Sequence, residues 1–237
     1  MFSKNFYFRL KYQINKRAVF TVFYKYFLDR LKHPFNKNKK KEAKKLHQKY
    51  LETKKTSTDY FSINTYYWQN IINKNFKEFS YLEIGSWEGN SALYILKNFN
   101  TGKVVCVDPW EDENFKEHQL SNFNNFKHNL NEFANRYDFF KGNSDSFFKQ
   151  NKQKFDVIYI DGWHEAPQVY RDINNSWDCL NINGIIICDD YFYGEIKDVT
   201  EKNLPADAIN KFILNKKSKL KILCVNNTQI FLKKISN

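Results

Sequence analysis

An α/β fold is what this sequence predicts: a doubly wound, mostly parallel sheet with a C-terminal antiparallel hairpin strand, preceded by a basic helical N-terminal extension. Three observations carry it. From about residue 58 short apolar runs alternate with helix-like segments, the pattern of a parallel sheet covered on both faces. Several of the runs end in acids, at Glu83, Asp108, Asp161 and the pair Asp189-Asp190. The last two runs flank Val225-Asn-Asn227, which reads as a hairpin turn.

The elements follow in order. Residues 1–35 mix aromatics with bases, and the apolar positions over 18–31 suit an amphipathic helix. Lys37-Asn-Lys-Lys-Lys-Glu-Ala-Lys-Lys45 continues as a helical or disordered basic run. Ser80–Ile84 is the first predicted strand and Asn90–Asn98 the helix after it. Lys103–Asp108 is the second strand, 113–135 a helix, Tyr137–Lys141 a third strand and Ser144–Asn151 a short helix. Phe155–Asp161 is a strongly apolar fourth strand. Pro167–Leu180 is helical, with Pro167 suited to a first turn. Gly184–Asp190 is a fifth strand, Pro205–Leu214 a helix, and Leu220–Cys224 with Thr228–Leu232 the closing hairpin.

Composition bounds the rest. The chain has 237 residues, 42% hydrophobic and 18% aromatic, enough for one large domain or a domain with an appendage. Of 38 Lys+Arg and 26 Asp+Glu, residues 1–57 hold 17 and 3, which leaves 21 and 23 for the remainder. The division expected is therefore a basic, aromatic-rich extension over 1–57 and a slightly acidic domain over 58–237. The extension has three open readings: a solvated appendage that shields part of the domain, a surface for an anionic membrane, or a grip on nucleic acid. Cys106, Cys179, Cys188 and Cys224 show neither C-x-x-C nor zinc spacing and read as reduced residues of a cytoplasmic protein. No run reaches the roughly 18 apolar residues of a spanning helix, so any membrane association would be peripheral.

Ligands of doubly wound sheets bind beyond the carboxyl ends of the strands, where these acids stand. The first loop, Glu83-Ile-Gly-Ser-Trp-Glu-Gly89, has two glycines before a helix. It is neither G-x-G-x-x-G nor a P-loop, so a ligand with adenosine but no phosphate fits better. S-adenosylmethionine is such a ligand, and its cationic groups suit acidic neighbours. Asp108, ending strand two, suits ribose hydroxyls; the alternative for any one such acid is a helix cap.

With these residues in view, the sequence resembles class I S-adenosylmethionine-dependent methyltransferases of the small bacterial "methyltransferase domain 24" type, with their Rossmann-like fold. The resemblance rests on Glu83–Ser91, Val107-Asp108, Phe155–His164 and Gly184–Tyr191, together with Thr56–Ser62 and Trp68 upstream. It runs from about Thr56 to the C-terminus and leaves out the first 50 residues. It implies that Glu83, Gly85, Ser86, Gly89, Asn90 and Ser91 surround the methionine part, with Trp87 beside them, that Asp108 holds the ribose, and that Ser144 and Asp145 lie by the adenine. Asp161 then begins the acceptor side and closes the cofactor set.

Carboxylates gathered from Asp161, Asp189 and Asp190 repel unless protonated or neutralised, and oxygen ligands suit Mg²⁺ or another divalent cation. Metal-dependent O-methyltransferases are similar in carrying acids after strands four and five. Such a cation would hold an acceptor hydroxyl and lower its pKa. His164, in Asp161-Gly-Trp-His164, suits a proton acceptor working beside Asp161; the alternative is a structural histidine. The group often has a tyrosine soon after this histidine, whereas this chain has Glu165-Ala-Pro167. Trp87, Trp163, Tyr191 and Tyr193 suit aromatic walls or plain packing.

The function expected is O-methylation of a hydroxyl on a sugar, glycan or other small molecule. A nucleic-acid methyltransferase gripping through the basic arm is one alternative, although no N/D-P-P-Y/F segment follows strand four. A non-catalytic adenosyl-binding module is another. The partners these readings imply are the acceptor, an anionic membrane surface or nucleic acid at residues 1–57, and a second copy of the chain in a homo-oligomer.

Overall fold

The structure, a computed structural model, describes residues 20–110, 116–192 and 204–237. The expectations for residues 1–19, for 113–115 and for Tyr193 fall outside these residues. Two compact units make up the chain, Phe35–Phe155 and a second that joins Met1–Pro34 to Asp156–Asn237.

Helix α1 (Phe20–Leu51) runs through Pro34 and contributes to both. Pro34 withholds one backbone N–H and ordinarily kinks or ends a helix, yet the expected 18–31 helix and the Lys37–Lys45 run form one continuous helix across it. The side chains of α1 override that preference. Val22 and Tyr26 are buried before the proline, and His47 and Leu51 after it. Tyr26 packs on Phe192 with ring centroids 4.9 Å apart.

In the Phe35–Phe155 unit, a short 3₁₀ turn, Ser62–Asn64, leads into α2 (Thr65–Asn75), a helix the sequence reading did not anticipate. Its buried residues Thr65, Trp68 and Ile72 keep helical spacing. Strand β1 (Phe79–Ile84) is followed by α3 (Asn90–Asn98), β2 (Thr101–Asp108), α4 (Lys116–Leu130), β3 (Asp138–Lys141) and α5 (Ser144–Gln150). β1 lies parallel to β2 with Leu82 opposite Val105 and Ile84 opposite Val107. β2 lies parallel to β3 with Asp108 opposite Lys141. α3 is buried from Asn90 to Leu96, as expected of a helix laid on an apolar sheet.

The other unit holds β4 (Phe155–Ile160), α6 (Ala166–Cys179), β5 (Leu180–Cys188), α7 (Pro205–Asn215), β6 (Leu220–Val225) and β7 (Ile230–Lys234). β7 pairs antiparallel with both β5 and β6, with Leu232 opposite Ile186 and Ile222. The hairpin turn is closed by Asn226, whose Oδ1 accepts from the Thr228 and Gln229 amides at 2.8 and 2.7 Å. The complete sheet has seven strands in the order β3-β2-β1-β4-β5-β7-β6, a parallel core with an antiparallel C-terminal margin. β5 starts at Leu180, four residues before the predicted Gly184, and carries a left-handed residue, Asn183 with φ 68°, near its start.

The core beside β1 is aromatic. Trp68 is fully buried, with Phe61 edge-on at 4.8 Å and Tyr81 and Tyr94 at 6.2 and 6.5 Å. Trp68→Ala would leave a cavity among three rings. It is expected to lower unfolding free energy by about 3–5 kcal/mol, measured by urea denaturation; a loss below ~1 kcal/mol would show that α2 is not part of this core.

Candidate active site

Within the Phe35–Phe155 unit, the loop from Gly85 to Gly89 leaves β1 and enters α3. Gly85 and Gly89 have φ of 89° and 81°, the left-handed region that glycine enters without strain. At Gly89 a Cβ would also meet Phe126 Cδ2 at 3.0 Å. Trp87 lies in the same region at φ 43°, and so does Trp110 at 42°, an unusual state for bulky residues. Asp108 holds both. The Trp87 amide donates to Asp108 Oδ2 at 2.9 Å and the Trp110 amide to Oδ1 at 2.8 Å. The Trp110 indole then donates to the Trp87 carbonyl at 2.7 Å.

Glu83 is fully buried under this loop. Tyr81 donates to its Oε2 at 2.6 Å, while Oε1 finds no protein partner. Burial is the main cause that pushes its carboxyl up to about 7; the nearby hydroxyls of Tyr81, Ser91 and Ser86 hold it down, and Asp108 adds to the rise. Ser86 Oγ and Asn90 Oδ1 are likewise buried without a well-formed hydrogen bond to the protein, although Ser86 lies near enough to Glu83 to lower its carboxyl. Buried polar atoms are ordinarily satisfied, so a carboxylate oxygen from the end of β1, a hydroxyl from the loop and an amide oxygen from the start of α3, all left over, suit a ligand with donors and positive charge. The cationic methionine end of S-adenosylmethionine has that character, and the donor set fits it.

Sequence reasoning passed over the residues that brace this loop. Glu88 is buried, and its Oε2 accepts from the Ser57 amide at 2.7 Å, while Oε1 accepts from Asn125 at 2.8 Å. Asn129 donates to the carbonyls of Lys55 and Glu88, both at 2.9 Å, and accepts from the Lys55 amide at 2.8 Å. The segment before α2 is thereby sewn onto the loop. Tyr60, itself exposed, stacks on Trp87 with centroids 5.8 Å apart, so Trp87 has an aromatic neighbour already. Ser144 and Asp145 occupy the first turn of α5, after the Asn143 cap; Ser144 is buried and Asp145 half-buried. The Gly142 amide donates to the Asp108 carbonyl at 3.0 Å, which ties this turn to the end of β2.

In the unit that contains Asp156–Asn237, a second polar group forms at the ends of β4 and β5. One ligand atom each from Asp161, His164 and Asp190 lies within 4.8 Å of the others. His164 Nε2 is 2.8 Å from Asp190 Oδ2, with the imidazole side chain 44% exposed. That hydrogen bond, above all, raises the His164 pKa, against a lowering from burial. Asp190 presents its carboxylate from a left-handed residue, φ 52°.

Asp189 faces another way. Its Oδ2 accepts from Gln229 at 2.8 Å and lies against the Tyr159 hydroxyl, and its Oδ1 accepts from the Asp190 amide at 2.8 Å. Burial, with Asp190 beside it, pushes its carboxyl up. Tyr159 also reaches Asp161 Oδ2 at 2.8 Å. The candidate cation set is thus Asp161, His164 and Asp190, whereas the sequence suggested Asp161, Asp189 and Asp190. Tyr191 is wholly buried with its hydroxyl on Asn210 at 2.8 Å; it is packing rather than a pocket wall. Trp163 is exposed.

A Rossmann-like sheet whose first loop carries glycines and orphaned acceptors, and whose strands end in acids, defines a class I methyltransferase fold. Residues 82–191, a little under half of the chain, match the family model described as a methyltransferase domain. Among solved structures, the fold is similar to an O-methyltransferase from Bacillus cereus in complex with SAH, at 14% identity, over 91% of this chain and 100% of that one with a TM-score of 0.57. It is also similar to an SAH-bound methyltransferase from Podospora anserina, at 16% identity, over 82% and 88% with a TM-score of 0.56. In sequence, 139 residues are 27% identical to the uncharacterized protein R132 of Acanthamoeba polyphaga mimivirus, a match of 55% of this chain to 60% of that protein.

The buried Glu83 makes a pH signature. Its folded pKa of about 7 lies above the ordinary 4.5, so the folded state binds the extra proton. The stabilisation this provides is complete below pH 4.5 and is lost as pH rises through 7. Without cofactor, Glu83→Gln is expected to gain stability relative to the unaltered protein across that interval. Parallel denaturation curves at several pH values test this; a stability difference independent of pH would remove the raised pKa.

Proposed function

We propose that the protein transfers the methyl group of S-adenosylmethionine to a hydroxyl of a small molecule, with sugar or glycan hydroxyls as the preferred acceptors. The observation that carries the O-methylation reading is the His164–Asp190 pair at 2.8 Å beside Asp161. A hydroxyl must lose its proton as its oxygen attacks, and a partly exposed imidazole backed by a carboxylate is suited to take it. Asp190 orients the ring and stabilises its charged form. Similarity to O-methyltransferases supports the same acceptor chemistry; the sugar preference rests on analogy alone.

S-adenosylmethionine supplies a methyl group activated on a sulfonium. In this reading Glu83, Ser86 and Asn90 hold the methionine end through the acceptors the protein leaves unpaired. Asp108 offers its remaining lone pairs to the ribose, and Ser144 and Asp145 border the adenine. Positioning of this kind supplies much of the rate in a displacement between two bound groups.

A divalent cation fits the second group of residues. Two carboxylates and an imidazole, from Asp161, Asp190 and His164, form a mixed donor set that suits Mg²⁺ or Mn²⁺ and admits softer divalent ions through the nitrogen; with the cation bound, His164 is a ligand in place of a proton acceptor. Bound there, the cation would polarise an acceptor hydroxyl and lower its pKa.

Transfer of labelled methyl to a panel of hydroxyl acceptors, with calorimetry for the cofactor, tests these assignments. His164→Ala is expected to lower turnover by about 10²–10⁴-fold with cofactor affinity nearly unchanged. Chelator should suppress turnover and added Mg²⁺ restore it. Full activity in excess chelator would remove the cation, and a near-normal rate for His164→Ala would demote the histidine to structure.

A further inference from the structure

The solvent face of α1 lies outside the residues assigned to methyl transfer. In the half before Pro34, Phe20, Tyr24 and Leu31 are exposed, at i, i+4 and i+11, one side of a helix. Val22 and Tyr26 turn the other way into the protein. In the half after Pro34, Phe35 and Leu46 are exposed, Phe35 at 86% and Leu46 at 71%, again eleven residues apart. Lys37, Lys39, Lys41, Lys45 and Lys49 are exposed on the same half, the last three in four-residue steps. Here too the opposite side is committed, with His47 and Leu51 buried. Each half thus holds its place in the fold through one side and shows water a mixture of large apolar groups and bases.

That mixture has a cost when it faces water and a use when it meets an anionic interface. We infer that the exposed face of α1 docks on the surface of an anionic lipid bilayer. Lysines would engage the headgroups, their long stems running past the apolar layer, while Phe35, Leu46, Leu31 and Phe20 enter the boundary between headgroup and acyl chain. The charge distribution agrees: residues 1–57 hold 17 of the 38 basic residues and 3 of the 26 acidic ones. Among the described residues no helix is long and apolar enough to cross a membrane, so the attachment is to the surface. A phosphate backbone would account for the lysines, but it gives no role to exposed aliphatic side chains such as Leu31 and Leu46.

The test uses the full chain in flotation with vesicles of phosphatidylcholine alone or of phosphatidylcholine with phosphatidylserine. Binding is expected only to the second kind, weakening with salt. Replacing Lys41, Lys45 and Lys49 together by Gln should lower the partition coefficient roughly 100-fold. Phe35→Ser with Leu46→Ser should lower it about 10-fold at unchanged net charge. Helical content by circular dichroism and cofactor affinity by calorimetry should stay unchanged in both variants, which separates this result from any failure of the methyltransfer assignment. Three outcomes overturn the inference. One is no binding to either vesicle. Another is loss of binding with the lysines but not with the apolar pair. The third is binding of single-stranded RNA by the face in place of vesicles.

Discussion

The carboxylate of Asp108 is the constraint on which the cofactor side of this structure depends. Two bulky residues, Trp87 and Trp110, have left-handed backbones, a conformation that stores strain of about 1–3 kcal/mol at each such residue. Both amides end on Asp108, one on each oxygen, and the indole of Trp110 closes the ring on the carbonyl of Trp87. This clamp fixes the loop that carries Ser86 and Gly89 from the side of β2. The acid that closes β2 therefore shapes the loop as well as offering lone pairs to a ribose. These two roles are compatible, because each carboxylate oxygen accepts more than one hydrogen bond.

The clamp has a second support. Glu88 is buried among donors from Ser57 and Asn125, and Asn129 bonds to both strands of chain it separates. An unpaired buried carboxylate would be expensive; here every bond Glu88 makes ties a sequence-distant segment to the loop. The result is a rigid cradle whose leftover acceptors, Glu83 Oε1 and Asn90 Oδ1, are the groups left for a ligand to satisfy. The raised pKa of Glu83 comes mainly from its removal from water beneath the loop.

Much of this was legible in the sequence, for identifiable reasons. Strands β1, β2 and β4 are short apolar runs that end in acids, and their signals are local. Helix α3 was placed correctly because glycines and a change of hydrophobic period mark its start. Helix α2 was not read, since Thr65-Tyr-Tyr-Trp-Gln-Asn-Ile is rich in β-formers and only its burial pattern is helical. The continuity of α1 was left open because Lys37–Lys45 reads equally as a helical or a disordered basic run; side chains buried on either side of Pro34 settle it as helix. Glu88, Asn129 and Gln229 carry no motif. Their roles come from partners 31 to 74 residues away, which no local pattern encodes.

The acid pair at the end of β5 shows the same limit in chemical form. Asp189 and Asp190 are adjacent and alike in sequence, and both suit a cation. The backbone separates them. Asp189, just past the strand, keeps its amide on the Ile160 carbonyl at 2.9 Å and its carboxylate turned to Tyr159 and Gln229. Asp190 flips to φ 52° and sends its carboxylate out to His164. Tyr159 has one proton to donate and two carboxylates in reach, so one hydroxyl is shared between Asp161 and Asp189. It links the buried acid, whose carboxyl is pushed up by burial, to the half-exposed one. One acid of the pair therefore sets the shape of the strand end, and the other is left to do chemistry with His164 and Asp161.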